Sequence, residues 1–157
     1  MRALIVEDGS ERGALAASRA LARAGWTVGI GSPRRGGLAD SSRWTSHWDR
    51  VPLANRDLDA FLEATNAAVA KRGYEVVFAG GDAEILGLSL GRDRIEARVP
   101  YASHESVVRA LDKLELAKAA RRAGFATPET VLATEDALAT TRVPIIVKPR
   151  LHWTPGA

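Results

Sequence analysis

Two lysines stand where short elements would deliver them for chemistry. Residues 143–150 read Val-Pro-Ile-Ile-Val-Lys-Pro-Arg, an apolar run expected to form a strand that ends on Lys148. Earlier, Asp112-Lys113 opens a segment expected to be a helix to Ala123, closed at Gly124 and followed by Ala126-Thr127-Pro128. Fixed ammonium groups at a helix start and a strand end suit one task in particular, neutralising the oxygens of a phosphate-bearing ligand. Each also has a plainer reading, as a solvent-exposed lysine at the end of an element.

A second polar set lies in loops at the carboxyl ends of other predicted strands: Glu7, Asp8, Ser10, Ser32, Gly80, Gly81 and Asp82. Open α/β sheets take their ligands at that edge. Glu7 or Asp8 there would suit a substrate amine, and Gly81 and Asp82 would face the same ligand. The competing reading is helix capping and turn chemistry. His47 and His104 have no second ligand at metal-like spacing and read as surface residues. No catalytic residue and no metal ligand is assigned.

These residues need elements to position them. Residues 2–6 form a short apolar run, read as a buried parallel strand. Glu7-Asp8-Gly9-Ser10 follows as a loop in which Ser10 is expected to cap a helix over 11–24, with Leu15, Ala16, Leu21 and Ala22 on one face and Gly25 as the stop. Trp26–Ile30 is a second strand, completing a βαβ unit. Residues 31–56 are irregular and rich in Gly and Pro, and Trp44 and Trp48 are expected to pack this loop down. Val51-Pro52-Leu53 is a candidate edge strand. Asp57 is expected to cap a helix to Arg72, with Leu58, Phe61, Leu62 and Val69 inward and Gly73 at its end. Glu75–Ala79 is a further strand, Asp82–Leu90 a helix and Ala97–Pro100 a short strand. Ser103 caps a helix to Leu111. Glu129–Leu132 and Val143–Val147 are expected strands around a short helix begun by Thr134, and they lack enough partners for a sheet of their own.

The fold class is therefore α/β. An open, doubly wound, mainly parallel Rossmann-like sheet occupies residues 1–102, and a helical linker and an incomplete α+β region occupy 103–157. The 157 residues are 46% hydrophobic and 26% charged, ordinary values for a soluble globular protein. No apolar run approaches the roughly 18 residues of a membrane helix, and no signal peptide precedes the first strand. Cysteine is absent, which excludes disulfides and cysteine–zinc sites and agrees with a cytoplasmic location. Net charge is only +3, with basic residues scattered rather than striped, so neither nucleic acid nor membrane is an expected partner.

Residues 99–150 carry a resemblance. Val99-Pro100-Tyr-Ala-Ser103, then Asp112-Lys113-Leu114-Glu-Leu116, then Gly124-Phe-Ala-Thr-Pro128, then Pro144-Ile-Ile-Val-Lys148-Pro149-Arg150 is similar to the joint between the pre-ATP-grasp and ATP-grasp domains. Biotin carboxylase, carbamoyl-phosphate synthetase and the carboxylate–amine ligases share that arrangement. Residues 1–98 resemble the pre-ATP-grasp domain in layout. The resemblance implies an ATP- and Mg²⁺-dependent enzyme that activates a carboxylate, or bicarbonate, as an acyl-phosphate for attack by an amine or other nucleophile. It implies nucleotide contacts for Lys113 and Lys148, and a homodimer surface. It also implies a glycine-rich loop, an adenine-binding strand and acidic metal ligands that the 157 residues do not contain. The sequence is thus expected to be the N-terminal part of a longer enzyme, inactive alone, with neither substrate nor nucleophile nameable.

Two other readings are weighed. A receiver-like signalling domain also opens with an acidic pair, here Glu7-Asp8, and ends a strand with Lys-Pro, here Lys148-Pro149. Its phosphoacceptor would have to be Asp82 or Asp49, and the strand Glu75–Ala79 has no aspartate at its tip. A stand-alone Rossmann-like dinucleotide module would need Gly-x-Gly-x-x-Gly after the first strand, which Gly9 and Gly13 do not make.

Overall fold

The computed structural model describes residues 1–140 and 144–151. The chain divides into two compact units, residues 1–107 and 108–152. In the first, β1 (Arg2–Val6), α1 (Arg12–Arg23), β2 (Thr27–Ser32), β3 (His47–Arg50), α2 (Leu58–Arg72), β4 (Val76–Ala79) and α3 (Asp82–Leu90) follow in order. α4 (His104–Leu111) begins after a short 3-10 turn at Arg92–Arg94 and a loop. The sheet order is β3-β2-β1-β4, with every pair parallel. This is the open, doubly wound α/β sheet expected from the sequence.

β1 lies inside the sheet, and Ala3, Leu4, Ile5 and Val6 are almost wholly buried. Successive side chains point to opposite faces. Leu4 and Val6 join Val77, Phe61, Leu62 and Leu88 in one core, under α2 and α3. Ile5 joins Val28, Ile30 and Ala14 in the other, under α1. A strand buried on both faces needs the unbroken apolar run that residues 3–6 provide, and each such side chain contributes about 1.5–3 kcal/mol.

α2 follows its sequence signals. Asp57 accepts a hydrogen bond from the Ala60 N–H at 2.9 Å, and Gly73 closes the helix at φ 65°. Ser103 likewise caps α4, accepting from the Ser106 N–H at 3.3 Å. α1 departs from expectation at both ends of the argument. Ser10 does not cap it but turns back to Asp8; Glu11 stands at the N-cap position without a side-chain cap bond, and its own N–H donates to the buried Glu7 carboxylate. Its inward residues are Ala14 and Ser18, with Leu15, Ala17, Leu21 and Ala22 beside them, and Ala16 is exposed.

The edge strand forms at His47–Arg50 rather than 51–53. Trp48 anchors it by donating its indole N–H to Ser32 Oγ at 2.8 Å, and Pro52 has no N–H to continue the ladder. The expected strand at 97–100 reduces to a single parallel bridge, Arg98 to Val76. Tyr101 finishes that edge, its hydroxyl oxygen accepting from the Ala79 N–H at 2.6 Å.

The second unit contains α5 (Lys113–Arg122) and α6 (Glu135–Thr140), with Thr134 capping the latter. Both expected strands fail to form among its described residues. Residues 129–132 and 144–147 are irregular, and Val131, Ile146 and Val147 are exposed. No described strand lies alongside to take up their backbone groups. Val143 lies outside the described residues. No described helix is long and apolar enough to cross a membrane.

One glycine is required by packing rather than by a turn. A Cβ on Gly29, in mid-β2, would sit 1.8 Å from the Tyr74 hydroxyl oxygen. That hydroxyl is fixed by donating to Asp49 Oδ2 at 3.1 Å, and Asp49 in turn faces Arg72 and Lys71. Gly29→Ala should destabilise the fold by about 1–3 kcal/mol. Urea denaturation measures this, and the loss should shrink in a Tyr74→Leu background where the ring is gone.

Candidate functional site

β1 and β4 are neighbours, but the helices that follow them pack on opposite faces, α1 against the Ile5 side and α3 against the Leu4 side. Their connecting loops therefore diverge at the carboxyl ends of the strands. This is the topological switch point, where open α/β sheets hold ligands. The sequence placed Glu7, Asp8, Gly81 and Asp82 at this edge, and the structure brings all four residues there, on the two loops after β1 and β4.

Glu7 is 2% exposed. Its Oε2 accepts from the Gly9 N–H at 2.9 Å and the Glu11 N–H at 3.2 Å, which ties down the loop that leads into α1. Its Oε1 is buried and has no hydrogen-bond partner. Burial pushes the carboxyl pKa up, and the two backbone donors pull against that shift. Gly80 is held close: its N–H donates to the Val6 carbonyl at 2.7 Å, and a Cβ there would meet Glu7 Cβ at 2.6 Å. Asp8 is exposed and ties down Ser10 through its backbone N–H and hydroxyl.

Two further acids join them. Gly81 precedes α3, and a Cβ on it would lie 2.9 Å from Glu84 Oε2 and 3.0 Å from Glu11 Oε1. Glu84 is 4% exposed, and burial, reinforced by Asp8, Glu11 and Glu7, raises its pKa to about 7. Glu11 is also raised, by its own burial and by Asp8 and Asp82. Asp82 sits in the first turn of α3, where the helix dipole favours a carboxylate. The edge is thus an acidic wall that would welcome a cation. Glu84 and Glu11 were missed in the sequence, because an acid in a helix's first turn is commonplace and nothing local signals burial.

The second unit builds a basic site. Asp112 caps α5, accepting from the Leu114 and Glu115 N–H groups at 3.0 and 3.2 Å. Arg150 grips the same carboxylate through Nε at 2.8 Å and a terminal nitrogen at 2.6 Å. That forked contact, with the two backbone donors, holds the Asp112 pKa at about 2. The Arg150 carbonyl then accepts from the Lys113 backbone N–H at 3.3 Å, with Lys113 Nζ at 3.5 Å. The segment that carries Lys148 is therefore fastened to the start of α5. It arrives there as irregular chain and not as a strand, and Lys148 is exposed. Sequence spacing gave no sign of the Asp112–Arg150 pair, which joins residues far apart in the chain.

Other candidates resolve into structure. His104 is half-buried, not free on the surface, with Nδ1 2.8 Å from Ser89 Oγ. Ser89 Oγ also lies 3.1 Å from the Leu86 carbonyl, to which it donates, so the pair has a structural partner on the helix. Asp49 is buried against Tyr74 and Arg72, and the tip of β4 is Ala79, which leaves a receiver without its phosphoacceptor. Among the described residues, no three His, Asp or Glu side chains have a metal-binding arrangement.

No protein-family description and no curated protein matches this sequence. Solved structures do. An L-amino acid ligase from Bacillus licheniformis superposes with a TM-score of 0.66 at 13% identity, over 96% of this chain and 37% of that one. The ADP complex of the N5-carboxyaminoimidazole ribonucleotide synthetase purK gives 0.56 at 14% identity, over 78% and 29%. The biotin carboxylase domain of a single-chain bacterial carboxylase gives 0.52 at 16% identity, over 87% and 33%. At such identities what is shared is the fold, and this chain spans about a third of the length of the structures it matches. Its fold is that of the N-terminal portion of ATP-grasp ligases and carboxylases.

The buried Glu84 makes stability depend on pH. Below 4.5 the carboxyl is neutral whether the chain is folded or not, and between 4.5 and about 7 only the unfolded chain ionises it. Stability is therefore full at acid pH and falls as pH rises through about 7, by on the order of 3 kcal/mol from this group. Glu84→Gln should raise stability near about pH 8 and leave it nearly unchanged near about pH 4. Urea midpoints across that range measure both, with Glu7 and Glu11 supplying a residual slope in the variant.

Proposed function

We propose that this chain is the N-terminal part of an ATP- and Mg²⁺-dependent ligase that joins a carboxylate, or bicarbonate, to an amine or other nucleophile. The likeness to the L-amino acid ligase over nearly the whole chain is the observation that carries this reading. In such a reaction the carboxylate oxygen attacks the γ-phosphorus of ATP, releasing ADP and forming an acyl-phosphate. The nucleophile then adds to the acyl carbon, and inorganic phosphate leaves. Negative charge spreads over the phosphoryl oxygens throughout, so positioned cations are the protein's main contribution.

In this reading Lys113 and Lys148 supply cations from this chain. The start of α5 adds its dipole to the ammonium of Lys113, and the Arg150 carbonyl tethers the strip of chain bearing Lys148 beside it. Asp112 and Arg150 act as positioning residues for that tether. At the other unit, the carboxylates of Glu7, Asp8, Glu11, Asp82 and Glu84 form the wall for the acceptor substrate, suited to one that carries an amine. Among the described residues, Glu7 Oε1 is a buried oxygen there without a hydrogen-bond partner. Magnesium would supply Lewis-acid charge on the phosphates, but the described residues hold no set of oxygen ligands for it, and no step is assigned through it.

Isothermal titration of the 157-residue chain with ATP and Mg²⁺ should show weak binding or none. Tight, Mg²⁺-dependent binding would contradict the view that the nucleotide pocket is shared with further chain. In the parent enzyme, an ADP-release assay should show Lys148→Ala lowering turnover by about 100-fold, with a smaller loss for Lys113→Ala. Wild-type rates in both variants would remove the two lysines from the site.

A further inference from the structure

A cavity of about 580 Å³ opens between α1 and the loop of residues 38–44. Its walls are Leu15, Arg19 and Arg23 from the helix, and Leu38, Arg43 and Trp44 from the loop. Its size lies within the usual range for small-molecule sites, roughly 300–1,000 Å³. Two guanidinium groups stand over the Trp44 ring, Arg23 at 5.4 Å and Arg43 at 5.0 Å from its centroid. Arg19 adds a third cation. Among the described residues none of the three is paired with a carboxylate, and no acid lines the cavity. Asp40, the nearest acid in sequence, is turned aside, accepting from the Gly36 N–H at 2.7 Å.

The loop is built to stay in place. Ala39 is fully buried, and its carbonyl accepts from the Ser42 N–H and from the Thr45 hydroxyl, the latter at 2.7 Å. Trp44's own N–H donates to Ser42 Oγ at 3.3 Å. Gly37 lets the loop lie against the Gly9 carbonyl, which a Cβ would approach to 2.5 Å. Arg43 and Trp44 are thus presented by an anchored turn, which lowers the ordering cost of binding.

Two guanidiniums over one aromatic ring and a third lining the same cavity repel one another, and cation–π contact relieves only part of that. A dianion between them would relieve the rest, and guanidinium forks match phosphate oxygens. Leu15, Leu38 and the Trp44 ring leave an apolar wall beside the cations. We propose that this cavity binds a small soluble phosphate ester, its phosphate held by Arg19, Arg23 and Arg43 and its apolar or aromatic body lying along Leu15, Leu38 and Trp44. The site is separate from the ligase reading and stands or falls without it.

Isothermal titration of the 157-residue chain with phenyl phosphate, without Mg²⁺, tests this. Saturable binding is expected, tighter than for inorganic phosphate, and weakened by added salt. Arg19→Gln should weaken it by about tenfold, as loss of one charge-assisted contact does, and Arg43→Gln by at least as much. Arg19 is exposed and is not one of the two cations over the Trp44 ring, so its variant is expected to keep the loop, and circular dichroism checks that the fold persists. Lys113→Ala should bind phenyl phosphate as the wild type does. No saturable heat up to about 10 mM ligand, or affinity unchanged in both arginine variants, would overturn the proposal. So would co-sedimentation with phosphatidylcholine vesicles containing phosphatidic acid that Arg19→Gln abolishes, since the site would then serve a lipid headgroup.

Discussion

The interior position of β1 is the constraint from which the first unit follows. With β2 on one side and β4 on the other, both parallel, this strand leaves neither face nor edge to water. Parallel neighbours require crossovers, and crossovers put helices on the faces. One helix must then cover the Ile5 face and others the Leu4 face, and the loops after β1 and β4 must part where the strands end. The parting of the loops at the strand ends is therefore a consequence of the packing. Residue 7 is where the consequence is felt: the chain leaves a fully buried strand on a glutamate that is itself buried, with one oxygen committed to the α1 N-terminus and the other uncommitted.

Charge is sorted along this chain despite its small net value. Carboxyl groups collect at the switch point, and burial there shifts Glu7, Glu11 and Glu84 all in the same direction, toward the neutral form. Arginines collect over Trp44. The start of α5 gathers Lys113 and Arg150 about a single aspartate. Composition alone averages these into ordinary solubility. Each cluster matters for what it would attract, an amine in the first case and phosphate oxygens in the other two.

Apolar runs and glycines made the first unit legible. Residues 3–6 and 27–30 became interior strands, 76–79 formed the strand beside β1, and Gly25 and Gly73 marked helix ends through positive φ. The layout of the last third was legible as family resemblance, and its helices appeared where Asp112 and Thr134 cap them. What failed depended on partners far away in the sequence. Strand character at 129–132 and 144–147 has no meaning without a neighbouring strand. Ser10 does not cap α1 because its backbone N–H and hydroxyl both turn back to Asp8, while the buried Glu7 carboxylate takes the Glu11 N–H, and burial depth is not encoded in local pattern. The Arg150–Asp112 fork and the burial of Glu84 belong to the same class of tertiary fact.

The fork also explains how an irregular segment can be held in a definite place. A strand is fixed by a ladder of backbone bonds, and residues 144–149 have none among the described residues. Their anchorage is concentrated at Arg150, in two guanidinium contacts and one carbonyl. Because the Asp112 pKa lies near 2, the carboxylate stays charged across the physiological range, and the anchor does not titrate away. Half of the arginine side chain is exposed, so solvent screens the pair and limits its strength. For Lys148, location is thus set through Arg150 by the aspartate at the start of α5 and not by a ladder of backbone bonds.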